Sequence, residues 1–276
     1  MPPNGPAETA GASPDPMYPN ASASRKNLRV MIIDDTPLRA KVLQSILKAQ
    51  GFTVSGVEHS GAAAIRLIAA NPPAVACIDM DISAPDGLSL VSRIHASHPD
   101  VYAVMFATDI RRQKIIGALE AGAVGYVEKP LTAGRILDVL DPLAGLLSPQ
   151  ALPDGDGPSV LVVDHNRQMR ALLTHMLRSL GYRVIGEAAS GMEGLILLER
   201  DRPDVICMAI DTPDVRGLDA LLAIKACHPE VTVIFVTARA ERETVSAAIQ
   251  RGANGYILKP FSLDNVRNGL HQARVL

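Results

Sequence analysis

Cysteine is scarce: three residues, Cys77, Cys207 and Cys227, are spread over 276 positions. They are too few and too scattered for a disulfide framework or a zinc site. Cys77 and Cys207 fall inside apolar runs, where a small buried thiol is expected. A reducing, cytoplasmic compartment fits that usage. No apolar run approaches the ~18 residues of a membrane-spanning helix. The N-terminus also lacks the basic-then-apolar order of a signal peptide. Neither sign of charge dominates, and a formal net charge of −2 gives no electrostatic case for nucleic acid. Neither a membrane nor a nucleic acid is expected as a partner.

What is present is length enough for two domains at about 100–200 residues each, with 47% hydrophobic residues to build their cores. Residues 1–27 are rich in Pro, Gly, Ala, Ser and Asn and are read as a disordered tail. The stretch SPQALPDGDGP, at 148–158, reads as the region of an interdomain linker, assigned to 148–157. The rest is an internal repeat, 28–147 and 158–276, aligning with itself without a gap at an offset of 130 residues. Asp34 falls on Asp164, Gly51 on Gly181, Gly87 on Gly217, and GYVEKP (125–130) on GYILKP (255–260). So long a period marks duplicated domains rather than a solenoid.

Each copy alternates short apolar runs with amphipathic stretches. RVMIID, TVSGVE, AVACID, YAVMFAT and GYVEK are the strand candidates of the first copy. LRAKVLQSILKAQG, closing on Gly51, and AAAIRLIAAN have helical spacing. Copy two repeats the order with VLVVD, RVIGEA, DVICMA, VTVIFVT and GYILK. The fold class is α/β, with two five-stranded, doubly wound parallel sheets in tandem. In such sheets the active crevice lies at the carboxyl ends of the strands.

In copy one those ends carry Asp34-Asp35, Asp79, Ala107-Thr108 and Lys129-Pro130. Carboxylates brought this close repel unless a cation lies between them. A hard divalent ion, Mg²⁺ above all, is the simplest solution. Lysine cannot ligate a metal but can neutralise a phosphoryl oxygen. Metal, lysine and a central carboxylate make a site for phosphoryl transfer onto that carboxylate. Single aspartates after strands commonly serve as helix caps or turn formers. The specific signal is the conjunction of Asp34-Asp35, Asp79, Asp86-Gly87 and Lys129-Pro130.

That conjunction resembles the receiver domain of bacterial two-component response regulators, a flavodoxin-like fold, and the resemblance covers both copies. It implies that Asp34 and Asp35 hold Mg²⁺ together with the phosphoacceptor Asp79. It implies a further ligand from the backbone carbonyl of Asp81. Lys129 and a hydroxyl at Thr108 would bind the phosphoryl group, and Tyr126 would be the switch aromatic. The donor would be a histidine kinase or a histidine phosphotransfer protein. Asp79 is assigned as acceptor because it lies eight residues before Gly87 and six after Pro73. Asp81 is the rival, with Pro85 four residues on, and would require a loop shorter by two residues.

Two departures stand out. Ser83 occupies a position where the family has Pro, so an altered loop is expected after the third strand. Ala107, rather than Thr108, aligns with Thr237. Either the fourth strand ends one residue later in copy one, or the hydroxyl comes from the neighbouring position.

Copy two keeps Asp164, Thr237, Tyr256 and Lys259. It has His165 for the second acid, Ala209 for the acceptor and Arg216 before the turn glycine. Alanine has no nucleophile, so copy two reads as a degenerate receiver, with His165 a partly exposed loop residue and Asp211 in the backbone role of Asp81.

The expectation is a signalling protein rather than an enzyme. The second copy runs to Leu276, leaving no room for a DNA-binding or enzymatic output domain, so output is expected through protein contacts. The reader would be a partner protein or a second subunit in a homodimer. In this family, degenerate second receivers ahead of diguanylate cyclase domains act as dimerisation adaptors, and residues 245–258 are the candidate interface. A phosphate sink or phosphorelay intermediate is one alternative, and a phosphorylation-independent scaffold another. A haloacid-dehalogenase-type hydrolase would need Asp-x-Asp after the first strand, which IIDDTP does not supply.

Overall fold

The computed structural model describes residues 21–108, 111–149, 152–153, 155–238, 242–273 and 275. The first domain comprises α1 (Ala21–Asn27), β1 (Arg29–Ile33), α2 (Pro37–Ala49), β2 (Thr53–Glu58), α3 (Gly61–Ala70), β3 (Val75–Asp79), α4 (Gly87–Ser97), β4 (Tyr102–Ala107), α5 (Arg112–Glu120), β5 (Ala123–Glu128) and α6 (Ala133–Leu146). The second comprises β6 (Ser159–Val163), α7 (Arg167–Ser179), β7 (Arg183–Ala188), α8 (Gly191–Asp201), β8 (Val205–Ala209), α9 (Gly217–Cys227), β9 (Thr232–Thr237), α10 (Arg242–Gln250), β10 (Gly255–Leu258) and α11 (Leu263–Gln272).

Both sheets are five-stranded and parallel, ordered β2-β1-β3-β4-β5 and β10-β9-β8-β6-β7. Every residue of β3, β4, β6 and β8 is buried, as expected of strands covered by helices on both faces. The chain winds outward from β1 in one direction and from β3 in the other. The loops after β1 and β3 therefore diverge and leave a crevice above their carboxyl ends. Gly51 (φ +87°) ends α2 and Gly181 (φ +87°) ends α7 in the left-handed conformation that glycine tolerates best.

The tail is a correction. Ala21–Asn27 is helical, and only residues 1–20 of the expected disordered segment lie outside the described residues. Apolar content understated what anchors this helix. Arg25 donates from Nε and Nη2 to the Asp141 carboxylate on α6 at 2.7 and 2.6 Å. Its guanidinium lies 5.7 Å from the centre of the Phe52 ring, and Leu28 is buried behind it. Both partners of this fork are largely shielded from water, so the pair is held more strongly than a surface bridge. Arg25→Ala is expected to lower stability by about 1.5–3 kcal/mol in chemical denaturation. No change would mean that α1 contributes nothing to the fold.

One apolar cluster runs through both domains, joined where α6 packs on α7. In α7 the burial goes round the helix. Met169, Leu172, Leu173, Met176 and Leu177 are buried, and so are Gln168, Thr174 and His175. Gln168 Nε2 donates to the carbonyls of Pro99 and Val101 at 2.9 and 3.0 Å, tying α7 to the first domain. The aligned positions on α2 have no such cover: Leu38 is 73% exposed and Val42 is 48% exposed. Near the linker, Gly157 N–H donates to the Gly181 carbonyl at 3.0 Å. A side chain at Gly155 would place its Cβ 1.9 Å from the same oxygen, so only glycine fits there.

His175 makes this helix pH-sensitive. Burial first, and Arg178 second, push its pKa from 6.5 down to about 4. The unfolded chain therefore takes up the proton more readily than the fold does. The stability is fully present above about pH 6.5 and drains away as pH falls towards about 4. The expected loss is on the order of 2–3 kcal/mol. Urea unfolding at several pH values checks it, and His175→Leu should flatten that part of the profile.

Candidate functional site

Strand β1 delivers Asp34 and Asp35 to the crevice, and β3 delivers Asp79 at its last position. Asp34 is fixed by the Thr36 N–H, which donates to its Oδ1 at 2.8 Å. Asp79 is 2% exposed, Asp34 is buried and Asp35 is half-buried. Ligand oxygens of the three carboxylates lie within 4.8 Å of one another. Among the described residues no other group of three metal-ligating side chains comes together in this way. A compact set of hard oxygen donors suits Mg²⁺. Asp79 Oδ2 strengthens the fit, since it is buried and receives no hydrogen bond of good geometry, only the charge of a neighbouring guanidinium.

Lys129, just past β5, extends its Nζ to Asp79 Oδ1 at 2.7 Å. Its own N–H donates to the Ala107 carbonyl at 2.8 Å, pinning it to the end of β4. The Lys259 N–H makes the same bond to the Thr237 carbonyl. β4 and β9 thus end at matching residues, and β4 does not run on. Ala107 occupies the position of Thr237, and Thr108 lies one residue beyond β4 with an exposed side chain.

The loop after β3 separates the neighbouring acids. Asp81 is exposed and outside the carboxylate cluster, and its N–H donates to Asp79 Oδ1 at 3.2 Å. The expected alteration around Ser83 is visible: its Oγ donates to Asp35 Oδ2 at 2.6 Å, and Ser83 bridges Asp86. Asp86 caps α4, accepting from Ser89 N–H at 3.0 Å and Ser89 Oγ at 2.6 Å, bonds that lower its pKa. Tyr126 is half-buried against the apolar cluster of the first domain, its hydroxyl pKa raised by burial and then by Glu128.

Arg39 is the residue that the strand-end reading missed. Its Nη2 lies 2.7 Å from Asp79 Oδ2, 3.2 Å from Asp34 Oδ1 and 3.4 Å from Asp35 Oδ1. Desolvation works against its charge, but the hydrogen bond to Asp34 and the fields of all three acids prevail and raise its pKa. A signal was available in the sequence. Pro37 opens α2 at its first turn, and side chains on a helix lean toward its N-terminus, here toward the crevice.

In copy two, Asp164 is buried and Ala209 ends β8. With alanine where the first domain has Asp79, Lys259 pairs with Asp164 instead. His165 has a half-exposed side chain, 3.8 Å from Asp164. Asp211 is exposed. Arg216 stands at the α9 N-cap without a side-chain cap bond. His165, Ala209, Asp211 and Lys259 line a cavity of about 230 Å³ together with Ile116, Leu119 and Glu120 of α5.

The family model described as "Response regulator receiver domain" matches residues 30–141 and again 160–271. The chemotaxis protein CheY of Listeria monocytogenes is 32% identical over 114 residues, which is 41% of this chain and 96% of that protein. CheY of Thermotoga maritima is 34% identical over 116 residues, 42% of this chain and 97% of that protein. A solved structure of the chemotaxis response regulator CheY4 of Vibrio cholerae is 28% identical, covering 44% of this chain and 98% of that one with a TM-score of 0.40. Two α/β sheets, each matched by the same receiver model, define a tandem-receiver protein. The chain belongs to the response regulator receiver domain family and is a protein of two-component signalling. Among the described residues no helix is long and apolar enough to cross a membrane.

Proposed function

We propose that the first domain accepts a phosphoryl group on Asp79 from a phosphohistidine of a histidine kinase or phosphotransfer protein. The observation that carries this reading is Asp79 itself, buried at the end of β3, with Lys129 at 2.7 Å and the carboxylates of Asp34 and Asp35 beside it. Asp79 attacks phosphorus in line. The P–N bond breaks as the O–P bond forms, and the departing imidazole keeps the bonding pair and takes a proton from solvent. Asp34, Asp35, Asp79 and the Asp81 carbonyl would hold Mg²⁺, which when bound supplies charge neutralisation for the phosphoryl oxygens. Lys129 shifts its ion pair from the carboxylate to an oxygen of the new phosphoryl group.

Exposed Leu38 and Val42, flanking Arg39 on α2, offer an apolar landing for a donor beside the crevice. Their counterparts Gln168 and Leu172 are buried, which further disfavours phosphorylation of the second domain. Tyr126 and Thr108 are assigned to the switch. The phosphorylated state is read through protein contacts, with the second domain as the first partner, since α5 already faces its degenerate pocket.

A small-molecule phosphodonor with Mg²⁺ tests the reading. Label should enter the wild-type chain and fail to enter in EDTA. Lys129→Met should slow labelling about a hundredfold, and an unchanged rate would remove Lys129 from the mechanism. Ala107 favours a second reading, the phosphate sink or relay, because a phosphoryl group with fewer contacts couples less to the switch. Loss of phosphate faster than any change in partner binding would select it.

A further inference from the structure

Three features lie outside the proposed chemistry: the exposed apolar face of Met192 and Ile196, the cavity beside Lys259, and Arg39. Only Arg39 has geometry that specifies an action. Its guanidinium touches all three carboxylates that define the metal site, at 2.7, 3.2 and 3.4 Å. A guanidinium and a divalent cation cannot share that space, since they repel and compete for the same oxygens.

The quality of the contacts matters. Nη2 approaches Asp79 Oδ2 to 2.7 Å, yet that oxygen has no hydrogen-bond partner of acceptable geometry. The bonds to Asp34 Oδ1, from Nε and Nη2, are long at 3.3 and 3.2 Å. The attraction is therefore chiefly Coulombic rather than directional. The side chain is also 40% exposed, so it can swing into water without unpacking the core. At the same time the two oxygens of Asp79 are both covered, Oδ1 by Lys129 and Oδ2 by Arg39.

We propose that Arg39 is an internal counter-ion that occupies the metal site and must be displaced by the divalent cation before Asp79 can act. The arginine sets the cation concentration at which the receiver becomes competent, and keeps the carboxylates from repelling one another below it. This inference rests on the reading of Asp34, Asp35 and Asp79 as a Mg²⁺ site.

Calorimetric titration of Mg²⁺ into the full chain tests it, using wild type, Arg39→Gln and Asp35→Asn. Arg39→Gln should bind Mg²⁺ about tenfold more tightly than wild type, equivalent to ~1.4 kcal/mol. Asp35→Asn should bind more weakly. The melting temperature adds a readout independent of phosphorylation. In EDTA, Arg39→Gln should melt below wild type, because three acids lose their counter-ion, and Mg²⁺ should raise it more steeply. Equal or weaker Mg²⁺ affinity in Arg39→Gln, with measurable binding in wild type, overturns the counter-ion role and leaves the metal site standing. No binding in either chain overturns the metal site and this inference with it.

Discussion

Asp79→Asn is expected to reduce phosphoryl labelling of the chain to background, while Asp81→Asn keeps it. The amide of asparagine has no charged oxygen to attack phosphorus, although it nearly matches the carboxylate in shape. The two aspartates stand two residues apart but in opposite surroundings. Asp79 is buried, paired with Lys129 at 2.7 Å, and within ligand range of Asp34 and Asp35. Asp81 is exposed on the loop and contributes a backbone N–H to its neighbour. Labelling that survives Asp79→Asn and disappears in Asp81→Asn would transfer the acceptor role to Asp81 and refute the site as assembled here.

Gly87→Ala should damage both fold and site. The added Cβ would lie 2.8 Å from the Met80 carbonyl oxygen and 3.0 Å from that of Asp79, both backbone atoms that cannot rotate away. The start of α4 would have to pull back from the loop that aims Asp79. Overpacking of this kind costs about 1–3 kcal/mol, and the labelling rate should fall with it because the acceptor carboxylate is displaced. Gly134→Ala is the contrast. A Cβ there meets nothing within 4 Å, and Gly134 lies in the first turn of α6. That change should be neutral or stabilising by up to about 1 kcal/mol. Equal melting temperatures and labelling rates for Gly87→Ala and wild type would show that the loop tolerates movement.

The sheet was legible because its chemistry is periodic. Five apolar runs per copy, four of which in the first copy end at an Asp, Thr or Lys, could be placed as parallel strands whose ends share one edge, and the repeat supplied an independent check. The acidic pair, Asp79 and the lysine followed from that edge. Arg39 did not, because it sits on a helix, where a lone arginine reads as a solvated residue until the helix's entry angle is known. The helix at Ala21–Asn27 was missed for a related reason. Its ion pair reaches Asp141, 116 residues away, and composition records no such partner. The hydroxyl question was visible as a misalignment at Ala107. It took the matching bonds from Lys129 to Ala107 and from Lys259 to Thr237 to establish which residue ends the strand.

The proposed division of work between the two domains rests on the same geometry. Where Asp79 stands in one copy, Ala209 stands in the other, and the freed Lys259 turns to Asp164. The helix face that is open beside Asp35 is covered in the second copy by the first domain. The most direct measurement is to phosphorylate the whole chain in Mg²⁺, trap the acyl phosphate by borohydride reduction, and locate it by peptide mass spectrometry. One modified residue per chain is expected, Asp79, and none from Pro158 onward. Modification at Asp81 or in the second domain, or none at all, would contradict it.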